Sequence, residues 1–141
     1  MFNFEFLFMV CNAMILPFWV MLIFIPNHAI TKWFSRTYFL QLTLALIYAF
    51  LIIQSIGKGN GGFGSLKELH LLFESDGALL AGWIHYLVFD SFVGMWMVRD
   101  AQKRNIPHLR IIAPLVFTLL MGPIGLLLYI AYRHVKTGVS E

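Results

Sequence analysis

Two ionisable side chains stand inside one long apolar run of this sequence. Residues 82–92 read GWIHYLVFDSF, with an imidazole at His85 and a carboxyl group at Asp90. Both are residue types that donate and accept protons in general acid–base catalysis. An ionisable group near the middle of a bilayer costs several kcal/mol on insertion scales, so it almost always faces the protein interior or a wet cavity. The pair is therefore the first candidate for a functional site.

The helical geometry of this run separates the two groups. Five residues correspond to about 500° of rotation, so His85 and Asp90 point about 140° apart. They can line one pocket only if the helix is packed on both sides, and otherwise each contacts a different neighbour. A structural role is the alternative for each, because a neutral carboxyl or imidazole can bond a backbone carbonyl. Prolines at Pro17 and Pro123 each leave one carbonyl without its usual helical donor.

Aromatic and helix-breaking residues near the pair are candidates for ligand contact. Phe89 and Trp96 follow His85 at helical spacing and share its face, and Trp83 precedes it. Such a stripe can flank a flat conjugated ligand, or simply face lipid. Pro123 lies in the run MGPIG, which should kink the fourth helix and make room for a ligand or water. Four glycines predict close helix packing: Gly82, Gly94, Gly122 and Gly125.

Metal and cofactor chemistry has little support in the sequence. There is no HExxH motif, and Cys11 is the single cysteine, so a thiolate site is not expected. The remaining histidines lie at or beyond the ends of the apolar runs, which excludes a mid-membrane bis-histidine haem. Phosphate loops and nucleophilic triads are absent as motifs. No basic stripe with interleaved aromatics is present, so nucleic acid is not an expected partner.

The elements that must position these residues are membrane spans. The 141 residues are 60% hydrophobic and 12% charged, whereas soluble domains average about 45–50% and about 25%. Four segments reach the length of about 20 apolar residues that a spanning helix needs: 6–25, 39–56, 78–98 and 111–132. The sequence therefore predicts an all-α integral membrane four-helix bundle, as a single domain over residues 1–141.

A short amphipathic stretch separates the second and third spans. Residues 65–75, SLKELHLLFES, place their apolar side chains at helical spacing and predict a helix on the membrane surface. The glycine run GKGNGGFG precedes it. The N-terminal MFNFEFLFMV lacks the basic region and cleavage site of a signal or transit peptide.

Lysine and arginine bias predicts the orientation. The loops after the first and third spans carry Lys32, Arg36 and four further basic residues, and are expected in the cytoplasm. Arg133 and Lys136 follow the fourth span and are expected on the opposite surface. Both termini would then lie outside.

Residues in all four spans resemble the abscisic-acid-deficient-four-like membrane family. The runs LPFWVMLIFIP, ALIYAFLI, WIHYLVFDSFVG with the following Arg-Asp, and GPIGLL occur in this order. The core W-I-H-x-x-x-x-D at 83–90 is the most specific part. Plant members are required to form neoxanthin from violaxanthin, a carotenoid epoxide. The missing transit peptide favours a bacterial member in the inner membrane.

The resemblance implies a redox-neutral isomerisation of a lipid-phase substrate. Opening an epoxide to an allene with an adjacent hydroxyl needs an acid at the oxirane oxygen and a base at the vinylic proton. Asp90 would be the acid and His85 the base, or the reverse, and Tyr86 could donate a hydrogen bond. Trp83, Phe89, Trp96 and Pro123 would then line the ligand, and no cofactor is implied.

Two hypotheses of different classes follow. In the first, the protein binds or isomerises a carotenoid or another isoprenoid in the bilayer. In the second, it is a non-catalytic four-helix subunit of a homo-oligomer or a larger membrane complex, with His85 and Asp90 as interhelical hydrogen-bond pins. A transporter is a weaker third option, because four spans are few and no repeat is visible.

Overall fold

Helices make up nearly all of the described chain. The structure, a computed structural model, describes residues 3–55 and 61–137. Within these ranges every regular element is helical, which confirms the all-α prediction. The α-helices are α1 (Phe4–Phe24), α2 (Ala29–Thr37), α3 (Phe39–Ser55), α4 (Leu66–Phe73), α5 (Asp76–Lys103) and α6 (Ile112–Thr137), with a 3-10 turn at His108–Arg110 before α6.

Four helical segments in the described ranges are long and apolar enough to cross a membrane. They are Phe4–Phe24, Ala29–Ser55, Asp76–Lys103 and His108–Lys136, with mean hydropathy between 1.4 and 2.3. The prediction of a multi-pass integral membrane protein is thereby confirmed. Residue 56, the predicted end of the second span, and residues 57–60 of the glycine run lie outside the described residues.

The short helix α2 was not expected, because its sequence AITKWFSRT is polar enough to be predicted as a loop. Its start is capped by His28, whose ring Nδ1 accepts from the Ile30 N–H at 3.3 Å. Its end is a left-handed residue, Tyr38 (φ 53°), whose N–H returns to the Phe34 carbonyl at 3.0 Å. Backbone groups at both ends of α2, which lack partners within the helix, are therefore bonded by neighbouring residues. A hydropathy pattern does not reveal such caps.

Tertiary contacts group the chain into two compact units. The first unit comprises Met1–Ile15 and Phe39–Val88, and the second comprises Leu16–Tyr38 and Phe89–Glu141. Helices α1 and α5 each contribute residues to both. The interpretation of the sequence as one domain stays a prediction.

In the first unit, α4 packs onto the early part of α5. Ser65 caps α4, its hydroxyl accepting from the Glu68 N–H at 3.2 Å, so the helix lies within the predicted stretch 65–75. Phe73 at the end of α4 packs against Gly82 so closely that a Cβ there would lie 2.8 Å from the ring. Gly82 thus provides the close approach that the sequence predicted.

In the second unit, α1 and α5 meet through a tryptophan and a glycine. Trp19 is only 1% exposed. Its ring lies directly over Gly94, where a Cβ would come 2.7 Å from Cη2. Only a residue without a side chain lets this large ring approach the helix backbone so closely.

Gly94→Ala should therefore destabilise the protein. The added methyl group must displace a buried indole, and overpacking of this kind costs about 1–3 kcal/mol. Thermal unfolding in detergent measures the loss. Gly77→Ala is the matched control, because its Cβ would meet Ser55 Oγ only at 3.4 Å, an ordinary contact. Equal unfolding temperatures for the two variants would contradict this packing.

Candidate functional site

A cavity of about 800 Å³ opens in the first unit between the starts of α1 and α5. Its apolar walls are Phe4, Phe8, Leu79, Leu80 and Trp83, and its polar lining is Asn3, Glu5 and Asp76. A second cavity of about 510 Å³ shares Phe4 and Asp76 and reaches α3 and α4. Small-molecule sites typically measure about 300–1,000 Å³ and are mostly apolar with a few polar groups. The first cavity has that composition.

The indole of Trp83 is held in place at the wall of this cavity. Its Nε1–H donates to Asn12 Oδ1 at 3.2 Å, and the Asn12 amide donates in turn to the Phe8 carbonyl at 2.8 Å. The indole lies 5.2 Å from the Tyr86 ring and 5.7 Å from the Phe8 ring. Of the predicted contact residues, Trp83 and Tyr86 are thus brought together. Asn12 was missed, although it is the only amide side chain in the first span.

His85 lies in the first unit with its side chain exposed. The imidazole is 6.1 Å from the ring of Tyr48, tilted by 51°. In a membrane-spanning segment an exposed side chain faces lipid, a lipid-soluble ligand or another chain. His85 is not among the residues that line the 800 Å³ cavity, whereas Trp83, two positions earlier, is.

Asp90 lies in the second unit, where its carboxyl group packs against a break in α6. The backbone of Met121 and Gly122 leaves helical geometry, which confirms the predicted kink next to Pro123. A Cβ on Gly122 would lie 2.5 Å from Asp90 Oδ1. Glycine is therefore required at this position by the approach of the carboxyl group.

A third polar cluster surrounds Asp100 near the end of α5. Its carboxylate accepts from the Tyr129 hydroxyl at 2.7 Å and from Arg104 Nε at 3.0 and 3.1 Å. Arg133 Nη1 is 3.4 Å away. Only 14% of the Asp100 side chain is exposed, so these charge-assisted bonds are only partly screened by solvent. The cluster fixes the last turns of α6 to α5.

Trp96 belongs to this third cluster rather than to the cavity. Its ring makes an edge-to-face contact with Tyr129 at 5.4 Å, and the Arg133 guanidinium lies 5.9 Å from its centroid. The other predicted contact residues, Phe89 and Pro123, are exposed. The structure thus distributes the predicted ligand-contact residues over both units.

The sequence missed the Asp100 cluster because it treated Arg99 and Asp100 only as the end of a span. The helix continues to Lys103, since Asp100 finds its partners within the protein. Arg104 and Arg133, which the sequence predicts on opposite membrane surfaces, contact the same carboxylate of Asp100. The kink was predicted, but its angle was not.

The comparison with known families settles the relationship of the chain. The model of the family described as ABA DEFICIENT 4-like matches residues 6–129. The chain belongs to the ABA DEFICIENT 4-like family. No curated protein and no solved structure matches it.

The matched region of this family member includes most of the groups described above, but Arg133 and the cavity residues Asn3, Phe4 and Glu5 lie outside it. His85, Asp90, Asp100 and Tyr129 fall within residues 6–129. In the part of the chain that the structure describes, no three His, Cys, Asp or Glu side chains are grouped so that they could hold a metal ion.

Asp100→Asn should destabilise the protein while keeping its shape. Asparagine can still accept from Tyr129, but two guanidinium groups lose their carboxylate, at a cost of about 1.5–3 kcal/mol. Thermal unfolding measures the change. Asp76→Asn is the control, since Asp76 is an exposed acid in the first turn of the same helix. An Asp100→Asn protein as stable as this control would show that the cluster contributes nothing to stability.

Proposed function

We propose that this protein binds an oxygenated isoprenoid of the carotenoid type within the bilayer and isomerises its epoxide. The observation that carries the proposal is the 800 Å³ cavity in the first unit. Five apolar side chains form its walls, and its polar residues come from the starts of α1 and α5. A long apolar molecule with one polar end group matches this lining.

The flat wall of the cavity also suits a conjugated ligand. Trp83 is fixed by Asn12 and Tyr86, so its side chain has little conformational freedom to lose when a ligand binds. Membership of the family supports a carotenoid, because plant relatives are required for neoxanthin formation. A substrate of this kind reaches the site through lipid and needs no aqueous entrance.

The proposed reaction conserves atoms and electrons. The acid delivers a proton to the oxirane oxygen as the ring C–O bond breaks and a hydroxyl group forms. The base removes the proton from the adjacent vinylic carbon, and the electron pair of that C–H bond becomes the new double bond of the allene. Asp90 and His85, the two ionisable groups within the apolar run of α5, are assigned to the two roles, although they belong to different units and neither lines the cavity. Tyr86 donates a hydrogen bond to the substrate.

Ligand retention tests the binding step. The protein is purified gently from a host that makes isoprenoid pigments, and retained lipids are identified by mass spectrometry. An oxygenated isoprenoid should be enriched over bulk phospholipid. Trp83→Ala should reduce its retention about tenfold, since an aromatic contact worth about 1.4 kcal/mol corresponds to that factor.

Trp33→Ala is the matched control for retention, because Trp33 is an exposed tryptophan on α2, in the other unit. It should retain as much isoprenoid as the unmodified protein. Retention of phospholipid alone, or equal losses in the two tryptophan variants, would count against the binding site.

Turnover tests the acid–base roles separately. Proteoliposomes are supplied with an epoxy-carotenoid, and the product is separated by chromatography as an isomer of unchanged mass. Asp90→Asn and His85→Gln should each lower the rate at least about 100-fold, the low end of what one acid or base contributes. Ligand retention and unfolding temperature should stay near their unmodified values. Undiminished turnover in either variant would remove that residue from the mechanism.

The alternative is a non-catalytic four-helix subunit of a larger membrane assembly. The close approach of the Asp90 carboxyl group to Gly122 favours this alternative, because a carboxyl group that only joins two helices needs such close packing. In that case His85 would contact a neighbouring chain. The purified protein would then retain a partner subunit and no isoprenoid, and Asp90→Asn would leave assembly intact.

A further inference from the structure

Helix α6 turns back on itself within the second unit. A Cβ built on Gly125 would lie 2.5 Å from the carbonyl oxygen of Pro114, although the two residues are eleven positions apart in the sequence. In a straight α-helix residues eleven apart are separated by about 16 Å. The break at Met121 and Gly122 is therefore a sharp reversal rather than a mild bend.

The contacts of α6 with α5 follow the same reversal. Moving along α6, Thr118 contacts Met97, and Gly122 then contacts Asp90, nearer the middle of α5. After the break the order runs the other way, and Tyr129 bonds Asp100, close to the end of α5. A helix that crossed beside α5 in one direction would instead meet successively earlier residues of α5.

Both ends of α6 consequently lie at one end of the second unit. His108, just before α6, hydrogen-bonds the Ile23 carbonyl at 2.8 Å through its ring Nε2. Arg133, near the end of α6, contacts Asp100. The end of α5 is tied to the same region, since Gln102 donates to Asn27 Oδ1 at 3.1 Å.

Basic residues are concentrated in this unit. It contains eight of the ten Lys and Arg residues of the chain, against three acids. We call these eight the basic face: Lys32, Arg36, Arg99, Lys103, Arg104, Arg110, Arg133 and Lys136. Arg99, on α5, connects α2 to the rest of the basic face. It donates to the Ser35 carbonyl and, at 2.7 Å, to the Tyr38 hydroxyl.

We propose that α6 is a re-entrant hairpin, and that the basic face docks onto the anionic phospholipid headgroups of the cytoplasmic leaflet. Cytoplasmic membrane-flanking segments are enriched in Lys and Arg, and each such charge near an anionic surface strengthens the attraction about fivefold. With Arg133 and Lys136 on the same surface as the other six, the charge bias that orients the protein becomes strong. The C-terminal end of α6 then lies in the cytoplasm, contrary to the expectation from four crossings.

The membrane places a requirement on the irregular backbone at the tip of the hairpin. Non-helical backbone at membrane depth is tolerated only where it is buried in protein or lines a cavity. Of the two non-helical residues, Gly122 is buried under the carboxyl group of Asp90, whereas Met121 is 51% exposed. A role for Asp90 in holding the hairpin tip does not depend on the identity of any ligand.

Cysteine accessibility tests the hairpin. Cys11 is replaced by alanine, and Lys103→Cys and Lys136→Cys are introduced singly, both at exposed positions. A membrane-impermeant maleimide is applied to right-side-out and inside-out vesicles. Both cysteines should react only in inside-out vesicles. Reaction of the two from opposite sides would show that α6 crosses the membrane and would overturn the hairpin.

Lipid selectivity tests the docking surface. Unmodified protein is reconstituted in liposomes of phosphatidylcholine and phosphatidylglycerol, and the lipids that remain after extraction are quantified by mass spectrometry. The double variant Lys103→Gln, Lys136→Gln should lower the enrichment of phosphatidylglycerol about tenfold or more, given about fivefold for each charge. Neither side chain contributes to the Asp100 bonds, so the fold should be retained, and unfolding temperature checks this.

Lys67→Gln is the matched control, an exposed lysine on α4 in the first unit. As a single charge outside the basic face, it should lower the enrichment clearly less than the double variant does. An unchanged enrichment in the double variant, or an equal loss in the control, would overturn the docking surface. Both measurements are made without isoprenoid, so the outcome is separate from that of the proposed function.

Discussion

A charge inside a membrane protein must find its partners within the protein, and the carboxylate of Asp100 shows how much structure depends on that. It draws a hydroxyl and two guanidinium groups to one point near the end of α5. Two of these donors, Tyr129 and Arg133, belong to the part of α6 that follows its break. These charge-assisted bonds hold the part of α6 that follows the break beside the end of α5.

Close packing at glycines is the second constraint, and it acts where the polar bonds do not reach. Lipid tails are as apolar as leucine, so apolar helices gain little by associating unless their surfaces fit closely. Gly82 receives the ring of Phe73, and Gly94 receives the ring of Trp19. Gly122 instead receives a carboxyl group, which makes it a polar contact as well as a steric one.

The sequence predicted the four long apolar helical segments because hydropathy depends on composition alone. It also predicted the kink beside Pro123, since proline removes a helical donor wherever it stands. The angle of that kink could not be predicted, because it is set by distant partners such as Asp100. Helix α2 was missed for a related reason: its caps at His28 and Tyr38 are local geometry, which a hydropathy window averages away.

The candidate site shows the same division between residue type and placement. Trp83, Tyr86, His85 and Asp90 stand out as residue types, but of these four Trp83 alone is among the residues that line the 800 Å³ cavity. Its polar lining comes from Asn3, Glu5 and Asp76, which have no special pattern in sequence. They become the polar lining of a cavity only because the fold places the starts of α1 and α5 side by side.

The exposure of His85 is the point on which the two functional interpretations diverge. His85 is exposed on α5, where a bound ligand or another chain could reach its imidazole. The adjacent Tyr48 ring supplies one wall of such a contact. The fixed indole of Trp83, two residues earlier, lines a cavity with polar groups at the start of the helix. An interface with another chain requires no such cavity, and this asymmetry favours a ligand.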